Sequence, residues 1–400
     1  MQNRNIQLLI VIATSILTSI ATDIILPSLP QIAQDFNVSS NDAKLLISVY
    51  MAGQFVTVLI WGIIADHLGR RVTLLLGMLF FLSGSILSLW ATSINFLLFC
   101  RFSQGIGAVV VPVAGWALIQ DLFPKDEGAR IMSWIGTIVA ILPLFAPAIG
   151  GAIDVRYGWQ TNLYCIAAYA FVLCTLMILL PGQTPDLSKK TVKPELKSRF
   201  ITYRHIIKNR TFVSYITLFG LLNAGEWCFL TVAPFYFDHK HLAADQMGIL
   251  LMLSSTGFVF GSLLASRLFK LFGVERTILL GIQLAIASSV MLLTGEYYHW
   301  TDNQIFNALV IGIFVLSSAL LWGGTTSRAL QCFDECRGSA SAVRSLILLC
   351  FTFLGTYSGR IIDHTNLYYV GIFLFIMSFF ALIVFNNKEF KVERRANAAH

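Results

Sequence analysis

Charge is what this chain has least of. Only 12% of its 400 residues are Asp, Glu, Lys or Arg, against 56% hydrophobic, where a soluble chain carries roughly 25% charged residues. That scarcity excludes packed soluble domains. The sequence also lacks the alternation of polar and apolar residues over runs of about ten that builds an outer-membrane barrel. Its apolar stretches continue for about twenty residues, the length that crosses a hydrocarbon core of about 30 Å as a helix. The seven cysteines suggest no disulfide framework: Cys100, Cys165, Cys174, Cys228 and Cys350 fall in apolar runs, and Cys332 and Cys336 have no second Cys or His pair beside them for a metal site. A membrane enzyme or sensor would need a nucleophile and base, a phosphate-binding Gly loop, clustered metal ligands or an attached soluble domain. None is legible, and no cofactor or metal is expected. The longest polar stretch, Gln183 to Arg210, is too short and too charged to fold as such a domain. A cleaved secretory signal is also not expected, because the first apolar run continues through Pro27 with no small-x-small cleavage site before Asp23.

What is present is a series of apolar runs bounded by charges, Pro and Gly. They predict an all-α integral membrane protein with twelve spans, near 6–28, 43–65, 72–92, 95–118, 130–151, 160–180, 211–235, 246–269, 275–295, 304–326, 338–360 and 367–386. The polar stretch divides them six and six. The expected organisation is a six-helix bundle over 1–182, a basic linker over 183–210, a second six-helix bundle over 211–390 and a tail over 391–400. With both termini placed in the cytoplasm, 22 of the 28 basic residues fall on the inside, eight of them in the linker, and only Lys44, Arg156, Lys240 and Arg360 fall outside. Topology therefore explains the net charge of +7, and a nucleic-acid partner is not expected.

At the junction of the second and third spans stands Gly62-Ile-Ile-Ala-Asp66-His-Leu-Gly69-Arg70-Arg71. It resembles the G-x-x-x-D-x-x-G-R-R signature of the major facilitator superfamily. In physical terms Gly62 would let another helix approach, Gly69 would take a turn conformation, and Asp66 would pair with a nearby Arg. A weaker echo, Gly261-Ser-Leu-Leu-Ala265-Ser-Arg267 with Gly273 and Arg276, occurs one half-chain later and points to internal duplication. The fifth span ends in Ala146-Pro147-Ala148-Ile-Gly150-Gly151, which resembles the antiporter signature G-P-x-x-G-G with Ala in its first place. Together with Trp159 and Ala233-Pro234-Phe235, these residues are most similar to the Bcr/CflA drug-resistance branch. The resemblance implies two pseudo-symmetric six-helix bundles that bind substrate near the midplane and alternate access. It also implies proton-driven efflux, with Asp23 and Arg101 matching embedded family positions.

Four ionisable residues lie inside apolar runs, where a charge is costly and functional by default. Asp23 and Arg101 each stand about six residues, or about 9 Å, from the outer ends of their expected helices, so they can share a layer. An opposed Arg favours the carboxylate and burial favours the neutral acid, which suits a group that takes and releases a proton. A static structural pair is the other reading. Glu226 and Arg344 match no family motif and are candidates for substrate binding or for a mutually satisfied pair, their expected levels differing by roughly 8 Å, and Glu226 is alternatively a second proton site. Tyr50, Trp116, Trp134, Trp227, Phe229 and Trp322 are aromatic candidates for an amphipathic cavity, with packing as the plainer reading of each. Trp90 and Trp300 read as interface anchors. The expected function is a monomeric proton-coupled exporter of small amphipathic molecules. Uptake of a metabolite or ferric siderophore by proton symport is the alternative.

Overall fold

The computed structural model describes residues 2–180, 196–333 and 336–387. The expected tail and residues 183–195 of the linker lie outside these. Among the described residues, twelve helices are long and apolar enough to cross a membrane. By internal packing the chain forms two units, one of Met1–Lys193 with Leu242–Gly248, the other of Pro194–His241 with Ile249–His400.

In the first unit the opening span is broken. Helix α1 (Gln2–Asp23) stops at Asp23, a single 3-10 turn follows at Leu26–Ser28, and α2 (Leu29–Asp35) completes the span. The cause is local: Pro27 has no N–H to return to the Asp23 carbonyl four residues back, and its ring crowds that carbonyl. The sequence reading carried one helix through Pro27 to residue 28; the span instead continues to Asp35, so Asp23 is deeper than the 9 Å expected from that end. Helices α3 (Ser40–Leu68), α4 (Arg70–Ser88) and α5 (Ile94–Ala108) follow. Ser39 and Ser93 start α3 and α5 by accepting from the N–H groups of Asp42 and Phe96 at 3.2 and 3.3 Å. Pro112 interrupts the fourth span in the same way, and a π turn at Val111–Gly115 leads into α6 (Trp116–Leu122). Helices α7 (Lys125–Tyr157) and α8 (Gln160–Leu179) close the unit.

The second unit begins with an element missing from the sequence reading. Half of the expected linker is a helix, α9 (Leu196–Lys208), which packs against α10 (Arg210–His239) and α14 (Arg337–Ile361) through buried Tyr203 and Ile206. The remaining spans are α11 (Ala244–Phe272), α12 (Val274–Tyr297), α13 (Gln304–Gln331) and α15 (Tyr368–Asn386). Small residues set the close crossings, as expected where lipid gives helices no hydrophobic drive to associate. A Cβ on Gly105 of α5 would strike the Tyr50 carbonyl of α3, and one on Gly257 of α11 would strike the Gly312 carbonyl of α13. The second and fourth spans of each half therefore meet backbone to backbone. Lys44, counted from sequence on the outer side, is fully buried near the start of α3.

Candidate functional site

One stripe of α1 collects polar donors from three neighbouring elements. Trp116 Nε1 of α6 donates to Ser15 Oγ at 3.3 Å, the Tyr50 hydroxyl of α3 donates to the Thr18 carbonyl at 3.2 Å, and Arg101 Nη1 of α5 donates to the Ala21 carbonyl at 3.2 Å. The three acceptors follow at i, i+3 and i+6, one face of a helix. Their donors are residues singled out from sequence for two separate reasons, Tyr50 and Trp116 as aromatic candidates for a cavity and Arg101 as a buried charge. Asp23 ends the same helix two residues beyond Ala21.

Arg101 is the largest fully buried side chain, only 1% exposed. Its second acceptor is Gln104 Oε1 at 3.0 Å, and Gln104 in turn donates to Ser85 Oγ at 3.0 Å. Nε and Nη2 make no hydrogen bond. A buried cation answered on one edge alone leaves capacity for a further acceptor. Its hydrogen bonds run to Ala21 and Gln104, not to Asp23; Tyr50, in the electrostatic field of both charges, is the side chain they share.

The signature after the second span is built mostly as its residue types suggest. Gly69 holds φ at +88°, in the region that favours glycine. Asp66 pairs with Arg70 at 3.0 Å, and Arg70 also faces Asp121 at the end of α6 at 3.7 Å. Arg71 Nη2 donates to the Met177 carbonyl at 2.9 Å and to that of Leu180, satisfying the C-terminal end of α8. At Gly62, nothing among the described residues of its own unit lies within 4 Å of the position its Cβ would take. In the echo, Gly273 repeats the turn at φ +79°, but Glu275 stands two residues on, accepting from the Tyr215 hydroxyl at 2.7 Å and facing Arg328 at 3.7 Å. The second half thus puts an acid where the first has Arg71. Along α7, Pro147, Gly150 and Gly151 make close contacts: a Cβ on Gly150 would strike the Ile24 carbonyl in the break of the first span, one on Gly151 would strike Ala244, and Gly248 meets Pro147.

In the second unit Glu226 of α10 faces Ser318 of α13, and its Oε2 has no hydrogen-bond partner. Arg344 of α14 makes no hydrogen bond or ion pair among the described residues. These two do not pair with one another. Contacts between α10 and α14 set the register: Gly220 meets Phe351, Thr352 donates to Asn223 at 2.7 Å, and Gly355 and Gly359 lie against Ala224 and Cys228. Glu226 is therefore level with about Tyr357, about 13 residues or roughly 20 Å along the helix from Arg344. The shorter expected separation assumed that the helix ends mark the edges of the hydrocarbon core, whereas α10 runs for 30 residues. Trp227 adjoins Glu226 and is partly buried; Phe229 is buried in packing. Trp322 is 38% exposed and packs on Phe258 with ring centroids 5.9 Å apart, and Trp134 is 63% exposed, so neither is enclosed within its unit.

Sequence reasoning missed Asp154, which sits beyond the expected end of the fifth helix and is buried in α7. The helical spacing of Ala146, Gly150 and Asp154 on one face was the available signal.

Comparison with known proteins agrees with this architecture. The chain is 28% identical over 346 residues to the multidrug resistance protein MdtL of Vibrio parahaemolyticus, covering 82% of each chain. It is 24% identical to the chloramphenicol resistance protein CraA of Acinetobacter baumannii, over 82% of this chain and 79% of that one. The solved structure of a D-xylose-proton symporter shares the fold at a TM-score of 0.71 and 16% identity, over 94% of this chain and 96% of that one. Residues 11–349 match the family model of the Major Facilitator Superfamily, and with twelve spans and the Gly62–Arg71 signature in place, this multi-pass membrane chain belongs to that superfamily.

Proposed function

We propose that the protein is a proton-coupled antiporter of the bacterial inner membrane, exporting small amphipathic compounds by alternating access as a monomer with both termini cytoplasmic. Its halves are the six-helix bundles 1–182 and 211–390, joined by the linker 183–210, and its pattern is closest to the Bcr/CflA branch. The observation that carries this reading is Arg101, a buried cation with unused donors, holding the last turn of α1 next to Asp23. A carboxyl at a helix break can change its exposure when the break moves, and a fixed guanidinium nearby biases its ionised form. Asp23 exchanges the proton, Arg101 sets its balance, and Tyr50 and Trp116 line the same stripe. The signature residues Gly62 to Arg71, with Pro147, Gly150 and Gly151, serve the conformational change. The resistance named for MdtL and CraA supports drug-like substrates, and Glu226 with Trp227 offers a site for their cationic or aromatic parts.

Uptake by proton symport is the second reading. Ala146 in place of the signature's first Gly and the unpaired Arg344, which suits an anionic group, favour it. Everted vesicles with an imposed proton gradient separate the two: antiport predicts drug accumulation with proton release, both lost in Asp23→Asn. Accumulation that survives collapse of the gradient, or that Asp23→Asn leaves intact, refutes the coupling.

A further inference from the structure

The outer part of α7 holds an acceptor-rich pocket that the roles above do not use. Asp154 is 9% exposed, and Ser28 and Asn162 are fully buried. Three elements contribute: α7, the 3-10 turn in the break of the first span, and α8. Asn162 Nδ2 donates to the Gly150 carbonyl at 3.1 Å and to Ser28 Oγ at 3.4 Å, and the Ser28 hydroxyl serves the Asp154 carboxyl. Asn162 and Asp154 therefore meet across one hydroxyl. Two oxygens remain without a donor, Asp154 Oδ2 and Asn162 Oδ1. Flipping the Asn162 amide would not help, because it would turn the amide oxygen toward the Gly150 carbonyl. What the cluster lacks is a hydrogen for these two buried acceptors.

Among the described residues, the groups that act on Asp154 include no positive charge. Asp35 of α2 acts on Asp154 electrostatically, itself accepting from Trp159 Nε1 at 2.6 Å and Gln31 Nε2 at 2.8 Å. Asp245, in the segment Leu242–Gly248, lies against Gly151. Arg156, on α7 itself, is exposed, and α8 presents the neutral Asn162.

We propose that Asp154, Ser28 and Asn162 form a second proton-binding site, with Asp154 carrying the proton and Asn162 Oδ1 accepting from it. Because Ser28 ends the same break that Asp23 begins, the site links protonation at the outer part of α7 to the conformation of that break. The inference extends the coupling proposed above, but its test needs no transport and so fails or succeeds separately.

The experiment is infrared titration of the purified full-length protein in nanodiscs without substrate, reading the carbonyl stretch of protonated carboxyls. The expected result is a neutral-pH band of one carboxyl equivalent that Asp154→Asn abolishes and Asp23→Asn retains. Ser28→Ala, which keeps the carboxyl, should move the band's pH midpoint by removing its hydroxyl partner. Asp154→Asn should also melt no lower than wild type at alkaline pH, since its amide supplies the missing donor. An unchanged band in Asp154→Asn, or an unmoved midpoint in Ser28→Ala, overturns the proposal. So does a midpoint that shifts when sodium replaces choline, which would make the site one for a metal cation.

Discussion

Replacing Arg101 separates holding the fold from coupling the proton. The guanidinium donates to the Ala21 carbonyl and to Gln104 Oε1, and a hydrogen bond from a charged group contributes about 1.5–3 kcal/mol. Arg101→Ala loses both, about 3–6 kcal/mol, and opens a cavity whose cost comes on top of that. At roughly 2–4 °C per kcal/mol for a unit of this size, the lost bonds alone lower the melting temperature by about 6–24 °C. Arg101→Met loses the same bonds but keeps the volume and removes the burden of a desolvated cation, which often restores stability. The expected outcome is therefore split: Met recovers much of the melting temperature that Ala loses, yet proton-driven efflux in everted vesicles stays at least about tenfold below wild type, equivalent to about 1.4 kcal/mol. Arg101→Lys keeps the charge and about one bond, and falls between in both assays. A double-mutant cycle with Asp23→Asn should show coupling above about 0.5 kcal/mol. Wild-type efflux in Arg101→Met, or strict additivity in the cycle, would refute the reasoning, leaving Arg101 a structural residue.

Other expectations follow from single contacts. Gly273→Ala meets open space but a φ of +79°, so it should lower stability by roughly 1–2 kcal/mol through backbone strain alone, read by thermal unfolding. Gly150→Ala meets the Ile24 backbone carbonyl, which cannot yield as a side chain can. It should cost more than Gly273→Ala and slow efflux even in the fraction that folds. Glu226→Gln should weaken binding of cationic substrates by about tenfold, about 1.4 kcal/mol, and leave neutral ones nearly unchanged, read by substrate-quenched Trp fluorescence. In the loops after α10 and α12, the hydrogen bond from Lys240 at 2.9 Å holds the Asp302 carboxyl below its usual range and, reciprocally, holds the Lys240 ammonium above its own. Its contribution is fully present at neutral pH. It fades as pH falls through Asp302's lowered value and as it rises through Lys240's raised one. The pair is exposed, so Lys240→Met should only slightly flatten the acid limb of the pH–stability curve.

The spans were legible because twenty apolar residues in a row have few alternatives. Buried charges stood out for the same reason, and Arg101 is where that reasoning worked best: it is buried, and it reaches the first helix beside Asp23. What sequence did not carry was axial register. Reading through Pro27 gave Asp23 the wrong depth, and placing Glu226 and Arg344 by their helix ends brought them too close, because α10 overruns the hydrocarbon thickness. Asp154 was passed over because a Gly pair looked like a helix end, though Gly inside a membrane helix more often marks a crossing. Helix α9 was hidden by its lysines and arginines, while Tyr203 and Ile206, three apart, marked its buried face.

The break at Asp23 gives the first unit a negative pole that no titration can remove. A helix ends with its carbonyl groups aligned, equivalent to roughly half a negative charge, and α1 delivers that end inside the membrane, where Arg101 meets it at Ala21. The helix end is a permanent source of negative potential beside the guanidinium, and Asp23, in the role proposed for it, is an exchangeable one nearby. In the proton cycle proposed above, Asp23 taking up a proton leaves Arg101 with the permanent one, so that it is never an isolated buried cation. The proposed proton cycle can then run without a large swing in the electrostatic energy of the unit, and Pro27, not the aspartate, makes that possible.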